Sequence, residues 1–93
     1  MKTLIIIPAY NEELNIENTI NKLKKYNKSS NSPVDYIIIN DGSTDKTKEI
    51  CKKNNFNVIN LIHNLGIGGA VQTGYKYALE NNYDIAIQFD GDG

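Results

Sequence analysis

The sequence contains no arginine and only one cysteine and one histidine, and each scarcity excludes a class of function. All ten basic residues are lysines and the formal net charge is -1, so the chain lacks the basic surplus that nucleic-acid binding calls for. Cys51 has no second cysteine with which to form an internal disulfide, so nothing points to an oxidising compartment. No cysteine or serine partner places His63 in a catalytic triad, and we assign it no catalytic role.

Long hydrophobic runs are also missing. The first apolar run, at residues 4–7, is too short for a signal peptide or a membrane-spanning helix, which favours a cytoplasmic protein. The length of 93 residues, with 40% hydrophobic and 23% charged residues, is typical of one soluble globular domain. We therefore treat residues 1–93 as a single domain.

Apolar segments alternate with amphipathic ones along the chain. Strands are predicted at residues 4–7, 36–39, 58–62 and 85–89, and helices at residues 11–26, 44–54 and 68–80. Asn11 and Ser43 are the predicted N-caps of the first two helices. The order βαβαβαβ predicts an α/β fold with a Rossmann-like parallel sheet, in which ligands bind beyond the carboxyl ends of the strands.

Polar clusters follow three of the predicted strands, at residues 8–12, 40–45 and 90–93. Each cluster also has a structural explanation, because strands commonly end in turn residues. For Asp41 the residues leave two roles open. Its carboxylate can accept a hydrogen bond from a base or a sugar hydroxyl, or it can cap the next helix while Gly42 makes the turn. For Asp45 we favour a structural role, in which its charge complements the dipole of the next helix.

Asp90 and Asp92 flank Gly91 at the end of the sequence. Two carboxylates at this spacing can bind a hard divalent cation such as Mg²⁺ or Mn²⁺. Spacing alone favours a turn, since Asp-Gly pairs are frequent in turns. The preceding strand shifts the balance towards a metal site, because it places both acids where a parallel sheet binds ligands.

Glycines are concentrated in residues 65–70, but they do not form a known phosphate-binding motif. The segment lacks both the G-x-G-x-x-G spacing and the G-K-[ST] ending. Small residues instead recur at intervals of four, at Gly66, Ala70, Gly74 and Ala78. This spacing predicts one stripe of a helix that packs closely on the sheet.

Together, these motifs resemble those of family 2 glycosyltransferases with the GT-A fold. The resemblance covers essentially the whole chain and rests on residues 5–12, 39–45, 64–66 with the small-residue helix, and 90–92. It implies the N-terminal, nucleotide-sugar-binding part of a metal-dependent transferase. The sequence is most similar to dolichol- or polyprenyl-phosphate sugar transferases and bacterial polysaccharide transferases.

The resemblance also implies a role for each matching residue. Pro8, Tyr10 and Glu12 would line the pocket for the nucleotide, and Asp41 would hydrogen-bond the base. The donor would be a UDP- or GDP-sugar, and the acceptor a saccharide or a lipid phosphate. Many relatives have aspartate where this chain has Asn40.

Asp90 and Gly91 would lie beside the ribose and the metal, with Asp92 as the principal ligand of Mg²⁺ or Mn²⁺ in a D-x-D motif. The resemblance places the general base and the acceptor site after Gly93, so the chain alone is expected to be inactive. Contact with the inner face of a membrane is expected only through that later part.

Two other functions remain as alternatives. Sugar-phosphate nucleotidyltransferases share a similar sheet and metal chemistry, but they usually carry a Gly-rich basic signature after the first strand, unlike residues 8–12. A flavodoxin-like signalling or binding module would use acidic strand ends without catalysing sugar transfer.

Overall fold

Strands and helices alternate in the computed structural model, which describes residues 1–89. The elements are β1 (Thr3–Ala9), α1 (Ile16–Ser29), β2 (Asp35–Asp41), α2 (Thr47–Lys53), β3 (Val58–Leu61), α3 (Gly66–Glu80) and β4 (Ile85–Gln88). This order confirms the predicted βαβαβαβ pattern and the α/β class.

The four strands form one parallel sheet in the order β3-β2-β1-β4. The chain runs outward from β1 to β2 and β3, then returns across the sheet to place β4 on the other side of β1. The strand order therefore reverses between β1 and β4. In sheets of this type, ligands bind in the crevice that such a reversal opens beyond the carboxyl ends of the strands.

Apolar cores lie on both faces of the sheet, which explains why the runs in β1 and β2 are almost entirely apolar. On one face, Ile7 and Ile38 pack with Ile20 of α1 and Cys51 of α2. On the opposite face, the sheet packs against α3 through a cluster of side chains, namely Leu4, Ile6, Ile37, Ile39, Ala70 and Ala78.

Three of the four small residues on α3 pack closely on the sheet, as predicted. Ala70 and Ala78 are 0% and 5% exposed. A Cβ atom added at Gly74 would lie only 2.3 Å from Cγ2 of Ile6. Gly66 differs, because it begins the helix at a φ of 81° with open space where a Cβ atom would be.

The first helix begins at Ile16, so the prediction that it starts after an Asn11 cap is wrong. Asn11 has a φ of 53°, which lies in the left-handed region and outside the right-handed helical range. Its side-chain oxygen accepts the backbone N–H of Thr44 at 2.8 Å instead of capping α1. The helix also extends past the predicted end, to Ser29.

The predicted cap of the second helix is also wrong. Ser43 donates its hydroxyl to Asn40 Oδ1, and α2 begins later, at Thr47. Asp45 Oδ1 accepts the backbone N–H of Thr47, the first residue of α2, at 2.9 Å, so its carboxylate lies at the positive end of the helix dipole, as favoured for Asp45.

Tyr83 lies before β4, at the end of the sheet opposite the predicted ligand site. Its hydroxyl donates to Asp35 Oδ2 at 2.7 Å, and Lys2 Nζ lies 4.5 Å from the ring centroid. Burial, followed by the hydrogen bond and the charge of Asp35, raises the pKa of Tyr83 from 10.0 to about 12.

This shift predicts a loss of stability in base. The folded chain keeps the phenol proton while the unfolded chain releases it, so the stabilisation is complete below pH 10 and disappears as the pH rises through about 12. Urea unfolding of the wild type and Tyr83→Phe should show a stability difference that shrinks over this range. A difference independent of pH would contradict the assignment.

Candidate functional site

A cavity of about 480 Å³ opens beyond the carboxyl ends of β1 and β4, where the strand order reverses. Its volume lies in the range of small-molecule sites. The loops after β1 and β3 and the ends of β2 and β4 contribute its lining, which consists of Pro8, Ala9, Tyr10, Glu12, Asp41, Asn64, Gly66, Ile67, Gln88 and Phe89. Four segments that are distant in sequence therefore surround one space.

Four of the predicted site residues line this cavity together, namely Pro8, Tyr10, Glu12 and Asp41. The other predicted residues, Asp90, Gly91 and Asp92, lie outside the described residues 1–89. The roles assigned to all seven residues stay predictions, because common lining does not identify a ligand.

Sequence reasoning did not assign the β3–α3 part of the cavity. Asn64, Gly66 and Ile67 line it, although residues 64–66 entered the resemblance only as a motif. A signal was present, since this segment follows a parallel strand, where ligand-binding loops lie. The segment was missed because its place in the cavity depends on the crossover that brings α3 to this end of the sheet.

Asp41 ends β2 and is 3% exposed. Its Oδ1 accepts the backbone N–H of Leu65 at 2.7 Å, and its main-chain oxygen accepts Asn64 Nδ2 at 3.1 Å. Within residues 1–89, Oδ2 accepts no hydrogen bond. Asp41 therefore holds the β3–α3 loop (residues 62–65) with one carboxylate oxygen and leaves the other available for a donor in the cavity.

Gly42 allows the β3–α3 loop to approach Asp41. Its φ is 67°, and an added Cβ atom would lie 2.6 Å from the backbone nitrogen of Asn64. Any larger residue would have to displace backbone atoms, which move less readily than a flexible side chain. This confirms the turn predicted at Gly42 and adds a reason for glycine, the close contact between two loops.

Asn40 is buried beside Asp41, and both ends of its amide are used. Its Nδ2 donates to Asn60 Oδ1 at 2.9 Å, while its Oδ1 accepts the hydroxyl of Ser43. An aspartate at this position would have no hydrogen to donate to Asn60. Asn40 is thus matched to a second asparagine on β3.

Asp45 lies between β2 and α2, and its carboxylate is a charged hydrogen-bond acceptor. Burial acts to raise its pKa, but hydrogen bonds from the hydroxyl and N–H of Thr47 and the N–H of Glu13 outweigh burial, so the pKa lies below 3.8. The carboxylate is therefore ionised at neutral pH.

Comparison with known sequences identifies the family. A family model described as Glycosyl transferase family 2 matches residues 4–93, which is nearly the whole chain. The chain belongs to glycosyl transferase family 2. The resemblance seen in the motifs is thereby confirmed, and the parallel α/β sheet agrees with the assignment.

Individual members of the family are similar over almost all of this chain. It is 43% identical over 89 residues to the uncharacterized protein MJ1222 of Methanocaldococcus jannaschii, covering 96% of this chain and 35% of that protein. It is 42% identical over 106 residues to the UDP-N-acetylglucosamine--dolichyl-phosphate N-acetylglucosaminyltransferase of Methanococcus voltae, covering 96% and 40%. It is 30% identical over 98 residues to the undecaprenyl-phosphate mannosyltransferase of Micrococcus luteus, covering 100% and 39%.

The family 2 chain therefore spans between 35% and 40% of the length of these relatives. Among residues 1–89, none of the helices has the length and apolar character needed to cross a bilayer. In the same described range, no three His, Cys, Asp or Glu side chains are grouped so that they could hold a metal ion. The predicted metal ligands lie beyond that range.

Proposed function

We propose that the cavity beyond β1 and β4 binds the nucleotide part of a nucleotide-sugar donor, and that the full protein transfers this sugar to an acceptor. The observation that carries the proposal is the common lining of Tyr10, Glu12 and Asp41, which come from two strand ends. Membership of family 2 supports sugar transfer over the nucleotidyltransferase and signalling alternatives.

Residues at the cavity can contact the base, the ribose and the phosphates of a nucleotide. Tyr10 is 49% exposed, which leaves its ring available to stack on a base. The available Oδ2 of Asp41 can accept an N–H of uracil or guanine or a ribose hydroxyl. The first turn of α3 begins at the cavity, and the partial positive charge of a helix N-terminus favours phosphate.

For the acceptor we propose a polyprenyl phosphate in preference to a free saccharide. Two of the similar proteins are named for transfer to dolichyl phosphate or undecaprenyl phosphate. Such an acceptor would place the full protein at the inner face of a membrane. The acceptor site and the catalytic base are expected in the part of the protein that follows Gly93.

Mg²⁺ or Mn²⁺ would be held by Asp90 and Asp92, the two acids of the D-x-D motif that the family resemblance implies. A bound divalent ion would offset the negative charge on the leaving nucleoside diphosphate. The described carboxylates of Glu12 and Asp41 would contact the nucleoside, so their roles are separate from that of the metal.

Calorimetric titration of the chain tests donor binding. We expect heat on adding UDP or GDP, stronger with Mg²⁺ or Mn²⁺ than with a chelator, and none with ribose 5-phosphate, which lacks a base. Because the base would contact Tyr10 and Asp41, the comparison of UDP or GDP with ribose 5-phosphate isolates these two contacts. Absence of heat up to about 1 mM of either nucleotide, the weak end of useful affinity, would count against an assembled site.

A further inference from the structure

Two loops meet beside the cavity, and reciprocal hydrogen bonds join them. The β1–α1 loop (residues 10–15) carries Tyr10 and Glu12, and the β2–α2 loop (residues 42–46) follows Asp41 directly. Neither loop is part of the sheet ladder. Asp41, at the end of β2, is held by the sheet, so the position of Tyr10 and Glu12 relative to it depends on how the β1–α1 loop is attached to the β2–α2 loop.

One set of these contacts runs from the second loop to the Asn11 side chain. Asn11 Oδ1 accepts the backbone N–H of Thr44 at 2.8 Å and that of Asp45 at 3.3 Å. The φ of 53° at Asn11 is tolerated by glycine, asparagine and aspartate far better than by other residues. Asparagine adopts this backbone and, unlike glycine, also supplies the acceptor.

The second set runs in the opposite direction. The backbone N–H groups of residues 11–13 donate in chain order to Ser43 Oγ at 2.9 Å, Thr47 Oγ1 at 2.9 Å and Asp45 Oδ2 at 3.1 Å. Three successive donors are bound by the other loop and the first residue of α2. The hydroxyl of Thr47 is fully buried, which makes this attachment rigid.

We propose that Asn11 is a positioning residue for the nucleotide cavity. By accepting two N–H groups of the β2–α2 loop, it fixes the left-handed turn that aims the N–H groups of residues 11–13 at that loop, and thereby keeps Tyr10 and Glu12 opposite Asp41. Asn11 itself does not line the cavity. The inference deepens the proposed function, since it assigns the residue that holds the two halves of the donor site together.

Asn11→Gly tests the proposal with a matched control. Glycine keeps the positive φ and removes only the side-chain acceptor. Asn82 has a similar φ of 61° after α3, outside the cavity lining, so Asn82→Gly makes the same chemical change elsewhere. We expect Asn11→Gly to raise the Kd for UDP about tenfold, because nucleotide binding must then order the β1–α1 loop, and Asn82→Gly to leave it within about twofold.

Amide hydrogen exchange provides a readout that does not depend on nucleotide. In Asn11→Gly, the amides of Glu12 and Glu13 should exchange faster although their acceptors, Thr47 and Asp45, are unchanged. Asn11→Asp retains an acceptor oxygen and tolerates the backbone, so it should restore their protection.

Outcomes for the two proposals are distinguishable. If the wild type binds no UDP, the proposed function fails, while the exchange rates still decide whether Asn11 fixes the loop. If only Thr44 and Asp45 lose protection in Asn11→Gly and the amides of Glu12 and Glu13 stay as slow as in the wild type, the positioning role is overturned.

Discussion

Asp41→Asn is expected to lower nucleotide affinity about 10- to 100-fold while leaving the fold intact. The reason is a forced orientation of the new amide. Only its oxygen can accept the N–H of Leu65 that Asp41 Oδ1 now accepts, so its NH₂ group must take the place of Oδ2. A donor would then face the donors of the base or ribose, and a hydrogen bond to a charged acceptor, worth about 1.5–3 kcal/mol, would be lost. Calorimetry with UDP and GDP measures the change.

Asp35→Asn is the control for this prediction, because it makes the same substitution at the other end of β2. Asp35 accepts the hydroxyl of Tyr83 and is remote from the cavity. Asp35→Asn should leave the nucleotide affinity within about twofold of the wild-type value. Equal affinities of Asp41→Asn and the wild type would remove Asp41 from the binding site.

Gly74→Ala is expected to destabilise the protein, although alanine normally favours helices over glycine by about 1 kcal/mol. The added Cβ would lie 2.3 Å from Cγ2 and 2.9 Å from Cγ1 of Ile6, which is fully buried in β1. Those atoms are close to the backbone and cannot swing away, so α3 must move off the sheet. Overpacking of this kind costs about 1–3 kcal/mol.

Gly68→Ala is the matched control on the same helix. No atom lies within 4 Å of a Cβ added there, so only the propensity gain remains, about 0.5–1 kcal/mol of stabilisation. Urea unfolding should place the two variants on opposite sides of the wild type. If Gly74→Ala proves as stable as Gly68→Ala, the close approach of α3 to β1 is not a constraint on the fold.

The sheet could be predicted from the sequence because its signals are local. The apolar runs in β1 and β2 are continuous, and burial on both faces requires that pattern whatever the remaining chain does. The small-residue spacing of α3 succeeded for a similar reason, since Ala70, Gly74 and Ala78 repeat at helical intervals and face the sheet.

Helix starts were predicted less well, because they depend on contacts between loops distant in sequence. Asn11 has the composition of an N-cap, yet its side chain is used by residues 44 and 45. Ser43 likewise does not cap α2, and its hydroxyl oxygen accepts the backbone N–H of Asn11, 32 positions away. Local capping rules consider only neighbouring residues, so they cannot detect a partner more than thirty positions away.

The candidate site was predictable in part. Strand-end position and the family resemblance together selected Pro8, Tyr10, Glu12 and Asp41, which line one cavity. The contribution of residues 64–67 was missed because it depends on the crossover that brings α3 to the same end of the sheet. Asp41 does not cap the next helix, α2, because its Oδ1 accepts the N–H of Leu65 from the distant β3–α3 loop; its role towards a ligand stays a prediction.

The most direct test of the account is to map nucleotide binding by NMR amide shifts. On adding UDP with Mg²⁺ to the isotope-labelled chain, we expect the largest changes at residues 10–12, at Asp41 and at residues 64–67, with little change at Asp35 or Tyr83 at the other end of the sheet. Shifts concentrated around Asp35 and Tyr83, or spread evenly over the chain, would contradict the claim that this cavity binds the nucleotide.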